Sequence, residues 1–203
     1  MDSHIMIFSR RHFLGAAAAG SAGLVAPRAF AAVQSFDRPV LLPRALAALD
    51  AHGSKIPFRD VVGIVDFAAP SRVPRFHLVD LGNGRMTTHL VAHGRGSDPG
   101  NTGWAHMFSN RPGSNASSCG SFVIGGSYYG KHGRSRRLRG LDPENSNAAN
   151  RAIVIHSADY VTRQMARSQG RVGRSLGCFT VTKDDLGEVL TRLGEGRLLF
   201  AWK

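Results

Sequence analysis

Apolar positions along the chain fall mostly into runs of strand length, and only a few stretches carry helical spacing. Val61-Val62-Gly63-Ile64-Val65-Asp66-Phe67 reads as an apolar strand, stopped by Pro70. Residues 75–81 and 85–93 flank Gly82-Asn83-Gly84, a tight-turn sequence whose residues tolerate positive φ, so this pair predicts a hairpin. Further strands are predicted over 121–124, 135–141, 152–156, 179–181 and 198–202. Pro43 followed by Leu46 and Leu49 predicts a short amphipathic helix ending near His52-Gly53. A second helix is expected over 158–168. A third is capped by Thr182, with Asp185 three residues on, and runs to Leu193. The Gly/Ser/Asn-rich stretch 94–118 is too long for a simple connection, which points to a functional or mobile loop. No internal repeat is present. The class is mostly β with a few helices (α+β), without the alternation of a βαβ fold.

The first 31 residues carry a different pattern. Ser9-Arg10-Arg11-His12-Phe13-Leu14 places an arginine pair before a mildly apolar Ala/Gly stretch, and Ala29-Phe30-Ala31 offers a small-x-small cleavage site. A buried N-terminal helix is the alternative, but an arginine pair leading an Ala/Gly run makes a poor core element. The expected organisation is an export signal of the twin-arginine type over 1–31, a tether and short helix over 32–59, and a single domain over 60–203. The mature protein is then periplasmic. No other apolar run reaches the roughly 18 residues a membrane span requires, so no stable membrane insertion is expected after signal cleavage. The formal charge of the chain is +12. Removing Arg10, Arg11, Arg28 and Asp2 with the signal lowers it by two, to +10. In the cytoplasm that excess would suggest nucleic acid. Outside the inner membrane, cell-wall carboxylates and lipid headgroups are the available anions, so no nucleic-acid partner is expected.

Two cysteines, Cys119 and Cys178, in an oxidising compartment admit a disulfide between them. The surroundings of Cys178 suggest chemistry instead. A thiol becomes a good nucleophile when a base takes its proton and its thiolate is stabilised nearby. His156 closes an apolar strand and Cys178 follows the Gly-rich run 170–177, so the two supply that pair if the fold brings them together. Gly177 lets the backbone approach a substrate closely, and amide groups around Cys178 can face a developing oxyanion. Considered alone, a histidine on an apolar strand is more often a core residue than a catalyst.

Ile155-His156-Ser157, then Ser175-Leu176-Gly177-Cys178-Phe179-Thr180-Val181, resembles the L,D-transpeptidase (YkuD-like) signature, in which His precedes Gly or Ser and Ser/Thr-x-Gly-Cys lies on the next strand. Val65-Asp66-Phe67 with Pro70-Ser71, Val91-Ala92-His93-Gly94-Arg95-Gly96-Ser97, Tyr129-Gly130-Lys131-His132-Gly133 and the run from Arg151 to His156 resemble the murein L,D-transpeptidase catalytic-domain branch. The resemblance spans nearly all of 60–203 and implies an L,D-transpeptidase-like β-sandwich catalytic domain. It further implies that Cys178 is acylated and that His156 is its base, oriented by the carbonyl of Ser157. Gly177 and Cys178 would form the oxyanion hole, with Ser175, His93 and Arg174 as candidate substrate-binding positions. The implied partners are peptidoglycan stem peptides, attacked at an L-centre beside a D-residue. No metal or organic cofactor is implied, because the thioester stores the bond energy. Three residues depart from the pattern. Leu176 stands where many members have His and this branch often has Trp. Phe179-Thr180 replaces an aliphatic residue with Arg or Asn, or Pro-Ala.

Other features have plainer readings. His89 and His93 are four apart but lie on a strand, without an HExxH helix, so a zinc peptidase is not expected. Arg134, Arg136, Arg137 and Arg139 form an alternating basic strand, read as a solvated edge or as a contact for stem-peptide carboxylates. Cys119 reads as a small buried hydrophobe. The same thioester admits two outcomes. It can be transferred to an amine, giving diaminopimelate–diaminopimelate or L-Ala–diaminopimelate cross-links. It can be hydrolysed, as in an L,D-endopeptidase or carboxypeptidase. A noncatalytic wall-binding protein with a structural disulfide is the reading from another class.

Overall fold

A computed structural model describes residues 39–203; the expected export signal and the tether at 32–38 lie outside the described residues. Eight strands form one sheet: β1 (Val61–Asp66), β2 (Phe76–Asp80), β3 (Met86–His89), β4 (Gly120–Gly130), β5 (Gly133–Gly140), β6 (Val154–Ser157), β7 (Phe179–Val181) and β8 (Leu198–Trp202). Their spatial order is β3-β2-β1-β8-β4-β5-β6-β7. The two ends of that order meet. Val91, just past β3, bridges to Val181 of β7, and the Ala92 amide donates to the Thr180 carbonyl at 2.9 Å. The sheet is therefore a near-barrel, and the two layers expected of a sandwich are opposite walls of one sheet.

Side-chain alternation divides the apolar residues between the inside and outside of this barrel. Val65, Phe76, Leu78, Phe122, Ile124, Leu138, Ile155, Phe179, Leu199 and Ala201 fill the interior, together with Val189, Leu190 and Leu193 from the third helix and the residue after it. The intervening residues Val62, Ile64, Leu198 and Phe200 face outward and are covered by α1 (Leu42–Ala51) through Leu42, Ala45 and Leu49. The continuous apolar run of β1 is thus explained: both faces of the strand are buried, one by the barrel and one by α1. The short N-terminal helix is part of the domain's packing.

Gly63 marks the tightest point of the interior. A Cβ there would lie 2.8 Å from Leu193 Cδ2, 3.1 Å from Leu199 Cδ1 and 3.2 Å from Phe76 Cε2. Gly63→Ala is expected to overpack this point and lower stability by roughly 1–3 kcal/mol. A urea titration checks it, as a lower midpoint at unchanged slope.

The remaining helices are α2 (Arg163–Gln169) and α3 (Lys183–Arg192). Thr162 and Thr182 cap them, each hydroxyl accepting the amide hydrogen three residues on, at 3.0 Å. The second helix begins later than its apolar pattern suggests, because Thr162 in extended backbone supplies the cap. The hairpin of β4 and β5 is longer than the runs 121–124 and 135–141. Past a register shift between Ile124 and Ser127, it continues through Tyr128 and Tyr129 to a turn at Lys131-His132. The basic strand β5 is not an edge, since β4 and β6 pair with it on either side. Arg136 donates to the Leu190 carbonyl near the end of α3, and Arg137 lies over the Tyr128 ring at 4.4 Å.

Candidate active site

Parallel pairing of β6 with β7 sets the site. The register joins Ile155 to Phe179, His156 to Thr180 and Ser157 to Val181. Ile155 and Phe179 point into the barrel, so His156 and Thr180 share the opposite face, and Cys178, two residues before Thr180, starts on that face. Phe179 is held in the core by Phe67 and Phe122, with ring centroids at 6.1 and 5.4 Å. That packing fixes the strand immediately after Cys178. The departure at Phe179 is therefore a change in the core, whereas the departure at Thr180 faces His156.

The turn before Cys178 is built on Gly177 and Ser175. Gly177 has φ +116°, a conformation that side chains rarely adopt. Its amide donates to Ser175 Oγ at 3.1 Å, while that hydroxyl donates to the Cys178 carbonyl at 2.7 Å. Ser175 is buried and braces the turn from within, so its hydroxyl is used by the protein. The Gly177 N–H is likewise engaged. The Cys178 N–H has no protein acceptor among the described residues and is free to face an oxyanion. Leu176, by contrast, projects outward with 56% of its surface exposed, two residues before Cys178.

His156 is buried at the end of β6, and its Nδ1–H donates to the Ser157 carbonyl at 2.9 Å. That bond leaves Nε2 as the unprotonated nitrogen. Nε2 lies 3.1 Å from Thr180 Oγ1. The Cys178 thiol donates to the Ala152 carbonyl at 3.7 Å, and no hydrogen bond joins it to the imidazole. Burial holds the thiol pKa above its ordinary value, opposed by the Val154 amide and the charges of Arg151 and Lys131. Burial also holds His156 below its ordinary value, opposed by its bond to Ser157 and reinforced by His132 and Lys131. At neutral pH the pair is thus a thiol and a neutral imidazole, suited to general-base activation.

Several residues near the site were not legible as its members. Arg151 precedes β6 and donates to the carbonyls of Ser109 and Ala116, fastening the 94–118 loop beside Gly177. Its charge favours the Cys178 thiolate. His132, at the β4–β5 turn, stacks on His156 with ring centroids 4.2 Å apart. Tyr160 places its hydroxyl 3.2 Å from Thr180 Oγ1. The sequence cue for Arg151 and His132 was their presence in family-like runs; Tyr160 gave none.

Two candidate binding residues are placed elsewhere. His93 is fully buried, with Nδ1 accepting from Arg75 at 2.8 Å and Nε2 3.2 Å from Asp98 Oδ2. Burial and the adjacent Arg75 push its pKa down to about 4, so it stays neutral. With both ring nitrogens engaged and no exposed surface, His93 does not line the site. Its carbonyl instead accepts the Ser175 amide at 2.9 Å, bracing the loop that leads to Cys178. Arg174 donates to the carbonyls of Asp98 and Pro99, the latter at 3.2 Å, and ties the same loop to residues 95–99. His89 lies apart from His93, facing Asp185 and Glu188 of α3. Cys119 is buried and unpaired, its thiol pushed up to about 12 by burial, and Cys178 is also unpaired, so the disulfide reading is not realised.

A near-barrel that sets a glycine-turn cysteine and a strand-end histidine on one face defines the class of domain. Residues 37–202 match the family model for the L,D-transpeptidase catalytic domain, and the chain belongs to that family. Similar solved structures include an L,D-transpeptidase from Mycobacterium smegmatis, at 13% identity and TM-score 0.44, covering 71% of this chain and 59% of that one. Another is L,D-transpeptidase 3 from Mycobacterium tuberculosis, at 12% identity and TM-score 0.42, covering 71% and 61%. A third is residues 123–326 of the L,D-transpeptidase from Xylanimonas cellulosilytica, at 16% identity and TM-score 0.42, covering 79% and 70%. The chain thus spans about three fifths of the length of the first two. No curated protein sequence matches it.

Proposed function

We propose that this chain is an exported, cysteine-dependent peptidoglycan L,D-transpeptidase that forms stem-peptide cross-links through a thioester on Cys178. The observation that supports it most is the shared sheet face of Cys178 and His156, with the imidazole tautomer fixed by Ser157. In the proposed sequence, the Thr180 hydroxyl turns off His156 Nε2, which takes the thiol proton as Sγ attacks the carbonyl of an L-centre. The oxyanion faces the Cys178 N–H. The imidazolium then protonates the departing amine of the D-residue, leaving a thioester and a neutral imidazole. An amine of a neighbouring stem attacks the thioester, gives its proton to His156, and the thiol is restored as the new amide leaves. Atoms and protons balance without a cofactor.

Acylation in this scheme requires neutral His156. Its rate is therefore full above the His156 pKa and lost as pH falls through it, and that limb lies below the ordinary histidine value because burial and Lys131 disfavour the cation. A stopped-flow acylation profile checks the position of the limb.

The test of the reaction is incubation of the mature domain with defined disaccharide tetrapeptides and resolution of the products by mass. New dimers are expected, and their fragmentation identifies a diaminopimelate–diaminopimelate or an L-Ala–diaminopimelate bond. Shortened monomers without dimers would assign the thioester to water and make the protein an endopeptidase or carboxypeptidase. Unchanged muropeptides would remove the catalytic reading.

A further inference from the structure

The hydrogen bonds around His156 have a direction. With Nδ1–H donating to the Ser157 carbonyl, the Nε2 lone pair can only accept, so the Thr180 hydroxyl must be the donor across the 3.1 Å contact. Thr180 has one hydroxyl hydrogen, and that use of it leaves its oxygen as an acceptor. The Tyr160 hydroxyl, 3.2 Å away, is then the donor to Thr180. The chain of bonds reads Tyr160 O–H to Thr180 O–H to His156 Nε2.

We propose that Tyr160 and Thr180 are positioning residues that hold the His156 base neutral, with Tyr160 acting on the imidazole only through the Thr180 hydroxyl. This rests on His156 being the base in the function proposed above. The physical basis is the single hydrogen on each hydroxyl. A protonated Nε2 would meet the Thr180 hydrogen head on unless Thr180 turned to accept, and Tyr160 opposes that turn by filling the Thr180 oxygen. Both hydroxyls must reverse together before the imidazolium gains a partner here, and no proton passes along them. Neighbouring hydroxyls polarise one another in the same sense.

The local fold makes the arrangement possible. Parallel register sets Thr180 beside His156. Tyr160 is fixed by its own carbonyl, which accepts the Gly173 amide at 2.6 Å, and by packing on the cluster formed by Leu90, Ala92, Val161, Ala166 and Val172. A Cβ on Gly173 would lie 2.6 Å from Tyr160 Cβ, so the close approach needs glycine. The ionisable groups that act on the imidazole are Lys131 and His132 from the β4–β5 turn; Arg151 acts on Cys178, and Tyr160 reaches Nε2 only through Thr180. None of the charged side chains occupies the place of the Thr180 hydroxyl on Nε2.

The test follows the His156 Cε1 proton by NMR as pH is varied, with the resonance assigned by its loss in His156→Gln, alongside acylation rate against pH in the same variants. Tyr160→Phe keeps the ring and removes only the hydroxyl. It is expected to raise both the His156 midpoint and the acid limb by roughly half to one pH unit. Thr180→Ser is expected to keep the parental midpoint. In a Thr180→Val background, adding Tyr160→Phe is expected to produce no further shift, as a double-mutant cycle requires of residues acting in series. A parental midpoint in Tyr160→Phe, or an equal shift in the Thr180→Val background, would overturn the relay. If the NMR midpoint moves as expected while Cys178 fails to acylate in any variant, the relay stands and the proposed reaction fails.

Discussion

Cys178→Ala is expected to abolish both thioester formation and cross-linking, lowering the rate by roughly 10⁴-fold or more. The reason is chemical. In the proposed reaction both half-reactions pass through the thioester at Sγ, which a methyl side chain cannot form. Cys119 is buried, and its raised pKa suppresses the thiolate. The side chain of Cys178 is only partly buried, and its recorded hydrogen bond is to the Ala152 carbonyl. The variant should therefore keep the parental circular dichroism and denaturation midpoint. Muropeptide turnover measured beside those controls separates loss of chemistry from loss of fold.

Gly177→Ala carries the second large effect, and it acts through geometry. Alanine at φ +116° is strained by about 1–3 kcal/mol. Its Cβ would also lie 2.7 Å from the Ala116 carbonyl oxygen, 2.9 Å from Ile153 Cδ1 and 3.1 Å from an Arg151 guanidinium nitrogen. The first of these is backbone, held by Arg151, so it cannot move aside cheaply. The turn must shift instead, carrying Cys178 with it. A displacement of about 1 Å from productive geometry can cost roughly 10²-fold in rate. Acylation at least that much slower is expected, together with a lower denaturation midpoint. Leu176→Ala, one residue earlier and exposed, should leave stability within about 0.5 kcal/mol of the parent.

The strands β1, β2, β3, β7 and β8 were legible because their apolar alternation or continuity is local, and Gly82-Asn83-Gly84 announced the hairpin by turn chemistry. Closure of the barrel was not, since nothing in residues 91–92 says that they pair with 180–181 rather than simply ending a strand. The extension of β4 through Gly125-Gly126-Ser127-Tyr128-Tyr129 was hidden for a related reason. Two glycines break the alternation at the register shift, and the exposed tip needs no apolar face. At the candidate site, Cys178, His156 and Ser157 could be proposed from sequence because they lie in runs that resemble the family signature. Thr180 was visible only as a departure from pattern. Its contact with Nε2 depends on a parallel register between strands separated by α2, which the sequence does not specify. His93 misled because a histidine at a strand end next to a glycine loop looks open, whereas Arg75 and Asp98 close over both of its nitrogens.

The central claim, that Cys178 carries the acyl group, is tested most directly by acid-quenching the enzyme with a disaccharide tetrapeptide in the steady state and mapping the adduct by peptide mass. The account predicts one acyl-tripeptide adduct, on the peptide containing Cys178, labile to hydroxylamine and missing in Cys178→Ala. Product formation with no adduct at Cys178, or with an adduct on another residue, would contradict it.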